Sequence, residues 1–196
     1  MDLTTLARVK VVLEINSVDT QHDAILNQLI TSVSDLIETY LKRIITSGTQ
    51  TEILDIPENN QHIFRLRAWP LTSITTIHYD PDRVFGTSTL LVAADYAMLE
   101  NGRLGDIHVF PSLGVYPSAI KIVYVGGLAA TTAALITSFP GFVYYVEQQV
   151  AFLFNNKTYL VVTSVSSGAG SKTLDPPEDV LLPAVKNGLK RYRRWL

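Results

Sequence analysis

The period of the hydrophobic residues changes twice along this chain, and the order of those changes limits what it can fold into. Near the start, apolar side chains recur three and four apart: Ile25, Leu29, Val33, Leu36, Ile37, Tyr40, Leu41 and Ile44, with Leu26 and Ile30 widening the stripe. Such spacing collects them on one side of a helix. Asp19 or Thr20 can cap it and Asp23 places an acid in its first turn, where free N–H groups accept negative charge. The pattern predicts a helix over residues 20–44, about 36 Å long at about 1.5 Å per residue. A 196-residue chain does not need that length for its own core, so a second face against a neighbour is expected. Upstream, Thr4 or Thr5 can cap a short helix carrying Leu6, Val9, Val12 and Leu13, broken at Asn16-Ser17-Val18-Asp19.

After Gly48 the period becomes two. Residues 51–56, 62–66 and 73–79 alternate and are rich in β-branched residues, so each predicts a strand. Asn59-Asn60 and Asp80-Pro81-Asp82 mark turns between them. Shorter strands are expected at 90–92, 96–99, 107–110 and 120–125, and Gly126-Gly127 stops the series. Asn101-Gly102 signals a hairpin, since both positions tolerate positive φ. Short, closely spaced strands imply antiparallel pairing, as a sheet or a small sandwich.

Helical spacing returns at Pro140, a residue suited to a first turn, with Phe142, Val143, Val146, Val150, Leu153 and Phe154 as its stripe. A β-branched stretch at 159–165 and a Gly/Ser loop at 166–171 follow. A last helix is expected from Val180 to about Trp195, opened by Pro176-Pro177-Glu178-Asp179 and mildly interrupted at Gly188. The predicted class is α+β: a helical core, made of the long N-terminal helix and two C-terminal helices, with an inserted antiparallel β lobe. The expected division is residues 1–47 for the N-terminal helical part, 48–128 for the lobe, and 129–196 for the C-terminal helical part with its basic end.

Composition narrows the function classes. Charged residues make up 17% of the chain, against about 25% for a typical soluble domain. Two readings account for such a shortfall: an ordinary core under an uncharged, Ser/Thr-rich surface, or a surface partly covered by copies of itself, because interface cores are depleted in charge. The long helix favours the second. No apolar run reaches the roughly 18 residues of a membrane span, and Met1-Asp2-Leu3-Thr4 has no basic or apolar leader character, so a soluble chain made without a secretory signal is expected. The absence of cysteine rules out disulfides, thiolate metal sites and a cysteine nucleophile. Charge is unevenly placed. Lys186, Lys190, Arg191, Arg193 and Arg194 fall within the last eleven residues, where there is no acid, which leaves eleven basic against eighteen acidic residues elsewhere, a net −7. One or two cations there complement a helix dipole. Four in five positions, interleaved with Tyr192 and beside Trp195, fit docking to an acidic partner better.

Positive signs of catalysis are missing from the sequence. Ser166 to Thr173 ends in Lys-Thr after glycines, but serine holds both positions where a phosphate-binding loop needs glycine, and Pro176-Pro177 prevents the helix that must follow. His22, His62, His78 and His108 have no second ligand at helical spacing, although His62 and His78 can converge on one sheet face. Asp80-x-Asp82 lacks the remaining ligands of a calcium loop, so turn chemistry accounts for it. Asp95, Glu100 and Asp106 can pair in space, and no Gly-x-Ser-x-Gly elbow is present. The expectation is a non-enzymatic component with no cofactor or metal. A small hydrolase using scattered carboxylates has nothing in its favour. A small DNA-binding module using the basic end is the alternative, and the acidic body speaks against DNA wrapping around it.

In order and spacing these segments resemble the head–tail connector proteins (adaptor or head completion proteins) of tailed bacteriophages. Leu3-Thr4-Thr5-Leu6-Ala7-Arg8-Val9-Lys10, then residues 19–43, resemble that family's short helix followed by a long one entered through acidic residues. Arg67-Ala68-Trp69-Pro70-Leu71-Thr72-Ser73-Ile74 resembles its Arg-x-Pro-(Val/Leu)-x-Ser-Ile strand, with one residue more before the proline. Asp95-Tyr96 with Gly102-Arg103-Leu104 resembles the next hairpin, and Val123-Tyr124-Val125-Gly126-Gly127-Leu128 a Val-x-Tyr-x-x-Gly strand end. Phe139-Pro140 opening a helix and the ending Tyr192-Arg193-Arg194 also fit, while residues 129–137 form a longer and blander link than usual.

The resemblance implies a structural virion protein of the neck, made in the host bacterial cytoplasm. It implies a cyclic homo-oligomer, twelvefold to match the portal protein, which joins the portal to the next neck or tail-side protein (a stopper or tail terminator) and lets DNA pass without sequence-specific binding. Portal docking maps onto Lys186, Lys190, Arg191, Tyr192, Arg193, Arg194 and Trp195.

Overall fold

The computed structural model describes residues 1–57, 62–156, 164–167, 170–173 and 181–193. The chain forms two compact units, one from Met1–Leu41 with Thr132–Leu196 and the other from Lys42–Thr131.

Among the described residues the first unit is built on five helices: α1 (Leu6–Val12), α2 (Asp23–Leu41), α3 (Thr132–Ser138), α4 (Pro140–Asn155) and α5 (Pro183–Leu189). α4 touches each of the other four. Its sequence explains this. Phe142, Val143, Val146, Val150 and Phe154 are buried as their spacing predicts, while Ala151, Glu147 and Gln149 are buried too, so more than one side of the helix faces protein. Burying each large apolar side chain stabilises by about 1.5–3 kcal/mol. Pro140 sits in the first turn.

α2 is shorter than the predicted 20–44. Asp19 Oδ1 accepts from Gln21 N–H at 2.9 Å, which holds residues 19–21 in a turn and delays the helix to Asp23. At the other end Lys42 has φ 53°, a left-handed conformation that cannot continue the helix. Ile44 therefore belongs to the second unit. Leu26, Ile30, Val33, Ile37 and Leu41 are buried; Ile25, Leu29, Leu36 and Tyr40 form a flanking, half-buried row.

Two further differences concern the ends of the first unit. The link at 129–137 contains α3, which its small, uncharged residues did not announce; Leu135 is its single buried side chain. The last helix is also shorter than predicted. Pro183 occupies the first turn of α5, because a proline farther inside would remove a backbone hydrogen bond. A 3₁₀ turn covers Lys190–Tyr192, and Arg193 is extended at φ −76°, ψ 138°. Val180 and residues 176–179, also expected in that helix or its opening, lie outside the described residues, as do Arg194 and Trp195.

The second unit holds two three-stranded antiparallel sheets. Its strands are β1 (Gly48–Ile56), β2 (Ile63–Arg65), β3 (Leu71–Tyr79), β4 (Tyr96–Met98), β5 (Asp106–Val109) and β6 (Tyr116–Gly126). One sheet has the order β1-β6-β3 and the other β2-β5-β4. Phe64, Leu66, Ile77, Ile107, Ile120 and Ile122 lie in the shared core. Residues 90–92 do not form a strand; Leu90 makes an isolated bridge to His78 and Leu91 N–H donates to Ile77 O at 2.8 Å. The Asn101-Gly102 signal falls in the connection between β4 and β5, where Asn101 (φ 53°) and Gly102 (φ 77°) both have positive φ. A Cβ at Gly102 would lie 2.6 Å from Leu71 O, so no larger residue fits.

Back in the first unit, β7 (Ser164–Ser167) and β8 (Gly170–Thr173) make a two-stranded antiparallel hairpin.

Candidate docking surface

The basic end is laid onto α4 by a short series of contacts. Gln149 is fully buried on α4, and its Oε1 accepts from Leu182 N–H at 2.9 Å, fixing the entry to α5. Leu181, Val185 and Leu189 are buried. The Tyr40 hydroxyl of α2 donates to Lys186 O at 3.3 Å. Gly188, which reads in sequence as a weak point of the helix, lies against the ring of Tyr145: a Cβ there would sit 2.1 Å from Cζ. The glycine is what lets α5 approach α4 so closely.

Five of the seven residues expected to dock on a portal are described, and they fall into two groups. Tyr192 is half-buried and meets the buried Phe142 ring edge to face at 5.1 Å. Arg193 is half-buried, with its guanidinium 5.0 Å from the Tyr40 ring centroid, a cation–π distance. Lys186 is half-buried as well. Lys190 and Arg191 are exposed. Arg191 lies 4.8 Å from the Tyr192 ring and donates to its hydroxyl at 2.9 Å. The aromatic and Arg193 fasten the end to its own unit; Lys190 and Arg191 give it a charged outer surface.

Sequence reasoning missed a polar network elsewhere on α4. Glu147 is buried on α4 and accepts from Thr4 Oγ1 at 2.9 Å and Arg8 Nε at 2.5 Å. The pairing raises the Arg8 pKa further above its already high value, with the hydrogen bond to Glu147 as the main cause. Lys10 is buried too, its Nζ 2.6 Å from Asp23 Oδ1 and 2.7 Å from Asp19 O. The available signal was a charge on an otherwise apolar helical face: Glu147 stands four residues after Val143 and three before Val150.

In the second unit, Arg43 is fully buried, its guanidinium 3.4 Å from the centroid of the Trp69 ring, and it donates to Trp69 O. Trp69–Pro70 is a cis peptide. Glu52 accepts from Arg67 N–H at 2.8 Å and from the Tyr124 hydroxyl; burial, then the Glu52 hydrogen bond, raise the Tyr124 pKa well above the ordinary tyrosine range. Asp80 receives N–H bonds from Asp82, Val84 and Phe85 at 2.7–3.0 Å, the turn chemistry expected of it. These bonds, Phe85 first, hold its carboxyl below the usual carboxylate range.

The other groups considered for chemistry do not converge. Asp106 pairs with Arg65 at 2.7 Å, Glu100 with Arg103 at 2.6 Å, and Asp95 accepts from Val92 N–H. His62 and His78 do not share a sheet face; His62 meets His108 at 5.7 Å and His78 meets Phe85 at 6.4 Å. Among the described residues no group of three or more His, Asp or Glu is arranged to hold a metal ion, and no helix is long and apolar enough to cross a membrane. Of the fourteen exposed large hydrophobic residues among those described, ten, Val84, Val92, Ile63 and Phe110 among them, lie in the second unit.

Residues 2–150 match the family described as "Head completion protein". The chain belongs to that family. The match spans α1 to most of α4 and ends before the basic residues, so family membership by itself says nothing about them. No curated protein matches. Among solved structures, the chain is similar to one in the neck of an empty GTA particle computed with C6 symmetry: TM-score 0.63, 15% identity, covering 99% of this chain and 91% of that one. It is also similar to a chain in the virion of a native gene transfer agent (GTA) particle, with TM-score 0.63, 14% identity and the same coverage. A third, in the neck of a native GTA particle computed with C12 symmetry, gives TM-score 0.53 at 15% identity, covering 88% of this chain and 84% of that one. At such identities the likeness shows a shared fold.

Proposed function

We propose that this head completion protein is a structural component of the virion neck: an adaptor ring that joins the portal to the next neck or tail-side protein and leaves a channel for DNA. The observation that carries this reading is family membership over residues 2–150 combined with a fold shared along nearly the whole chain with a protein of a GTA neck. Cyclic symmetry in the neck structures of those relatives, sixfold and twelvefold, favours a twelvefold ring here. A head-to-tail contact that closes on itself builds such a ring from one kind of interface. The half-buried row Ile25, Leu29 and Leu36 on α2 suits a subunit contact. Lys190 and Arg191, exposed beyond a firmly seated Tyr192, suit docking on an acidic portal surface. The lobe, with most of the exposed apolar side chains among the described residues, suits the tail-side partner.

The test is to mix the purified protein with portal rings and image the product by electron microscopy. A collar of twelve copies at the narrow end of the portal supports the proposal. A portal that binds its other partners but takes up none of this chain overturns it. Salt-dependent binding to duplex DNA in that case would favour the DNA-binding module instead.

A further inference from the structure

The hairpin β7–β8 pairs with no other strand among the described residues. An isolated two-stranded hairpin is marginal in water, and a third strand is what makes such a unit stable. The second unit carries four strands at sheet edges, β1 and β3 in one sheet and β2 and β4 in the other. β2 and β4 have three residues each, too few for a lasting ladder. β3 has two register shifts against β6, and its far end is occupied by Leu91 N–H on Ile77 O and the His78–Leu90 bridge. β1 differs: nine residues, in unbroken register with β6 from Gly48 to Leu54. It has neither proline nor lysine, the residues that commonly guard an edge against pairing. Its exposed side chains are Thr49, Thr51, Ile53 and Asp55. The charges are opposite in sign, since Lys172 is the one charged residue in the strands of the hairpin.

We infer that β7–β8 of one copy adds to the free edge of β1 in the next copy, so that the lateral contact of the ring is a shared β-sheet. The inference rests on the ring reading proposed above. Strand addition gains main-chain hydrogen bonds along an existing edge. Because hairpin and edge are different surfaces, the contact is head-to-tail and propagates around a ring. Pairing of β1 with β1 would instead close after two copies.

The native chain has no cysteine, which makes cross-linking clean. Ser171→Cys is combined in turn with Thr49→Cys, Thr51→Cys and Ile53→Cys, the proteins are assembled on portal rings, and a short bis-maleimide is added. The expected result is a ladder of linked copies for at least one pair, several-fold stronger than for a Ser171→Cys, Val18→Cys control. Mixing the corresponding single variants should give linked pairs only. A second variant, Val165→Pro, should weaken collar formation at least tenfold while the melting temperature of the free protein is unchanged. If collars form on the portal and neither effect appears, this inference is overturned and the adaptor reading stands. Linked dimers from Thr51→Cys alone would show edge-to-edge pairing and overturn it as well. Failure of the unmodified protein to form any collar overturns both readings.

Discussion

Glu147 shows what a single charge can do inside an apolar contact. It lies on the buried side of α4 and gathers Thr4 and Arg8 from the start of the chain, so its worth lies in orientation as much as in attraction. Glu147→Ala leaves Thr4 without its acceptor, and urea titration is expected to show a loss of about 1–3 kcal/mol, held down because the Arg8 end is solvated. Glu147→Gln keeps an acceptor for Thr4 and should cost less. Asp80 gives a prediction in pH. Its folded pKa lies below the ordinary value, about 3.9 for the unfolded chain. The unfolded state then binds more protons across that interval, and stability rises with pH through it. The contribution is complete above about pH 4–5 and is lost as pH falls through the folded value. Asp80→Asn removes this dependence, so its stability should decline less steeply than that of the native chain below about pH 4.

At the scale of elements, α5 is a short helix held in place by an absence. Gly188→Ala would put a methyl carbon against the Tyr145 ring, and overpacking of this kind costs about 1–3 kcal/mol. The variant should melt lower and lose the ring contact between Tyr192 and Phe142, visible as a change in near-ultraviolet circular dichroism. Sequence showed Gly188 only as a weak helix former, because the ring it accommodates is 43 residues away in the chain. The same division runs through the rest of the fold. Local signals were legible: the α2 and α4 stripes, Pro140, and the alternation of β1, β3 and β6. What long-range packing decides was not. The end of α2 at Lys42, α3 in a bland link, and the partners of Glu147, Arg43 and the histidines all depend on contacts between distant segments. At the candidate docking surface the charge of Lys190 and Arg191 was plain from composition, whereas the inward turn of Tyr192 and Arg193 was not.

For the whole molecule, charge and seating predict separable effects. Lys190→Glu with Arg191→Glu changes two exposed side chains and should leave the melting temperature within a degree or two, yet weaken portal binding at least tenfold in a pull-down on portal rings. Arg191 gives up a solvent-exposed hydrogen bond to the Tyr192 hydroxyl, and changes at such surface sites seldom move stability by more than about 0.5 kcal/mol. Adding salt should weaken binding of the native protein and have little effect on what remains in the variant. Should the variant bind as well as the native chain, the basic end does not dock.

The first unit is assembled from both ends of the chain, with residues 42–131 between them. During synthesis this imposes a delay. The apolar side of α2 leaves the ribosome before α4, the helix it packs on, has been made. At about 5–20 residues per second, the intervening segment takes roughly 5–20 s to translate. In that interval the β lobe has all its own residues and can fold, while α1 and α2 wait beside neighbouring nascent chains on the same messenger. The buried threonine, lysine and serine of this early segment then serve a second purpose, since a face carrying Thr4, Lys10 and Ser34 among its apolar residues is less adhesive to strangers than a purely aliphatic one.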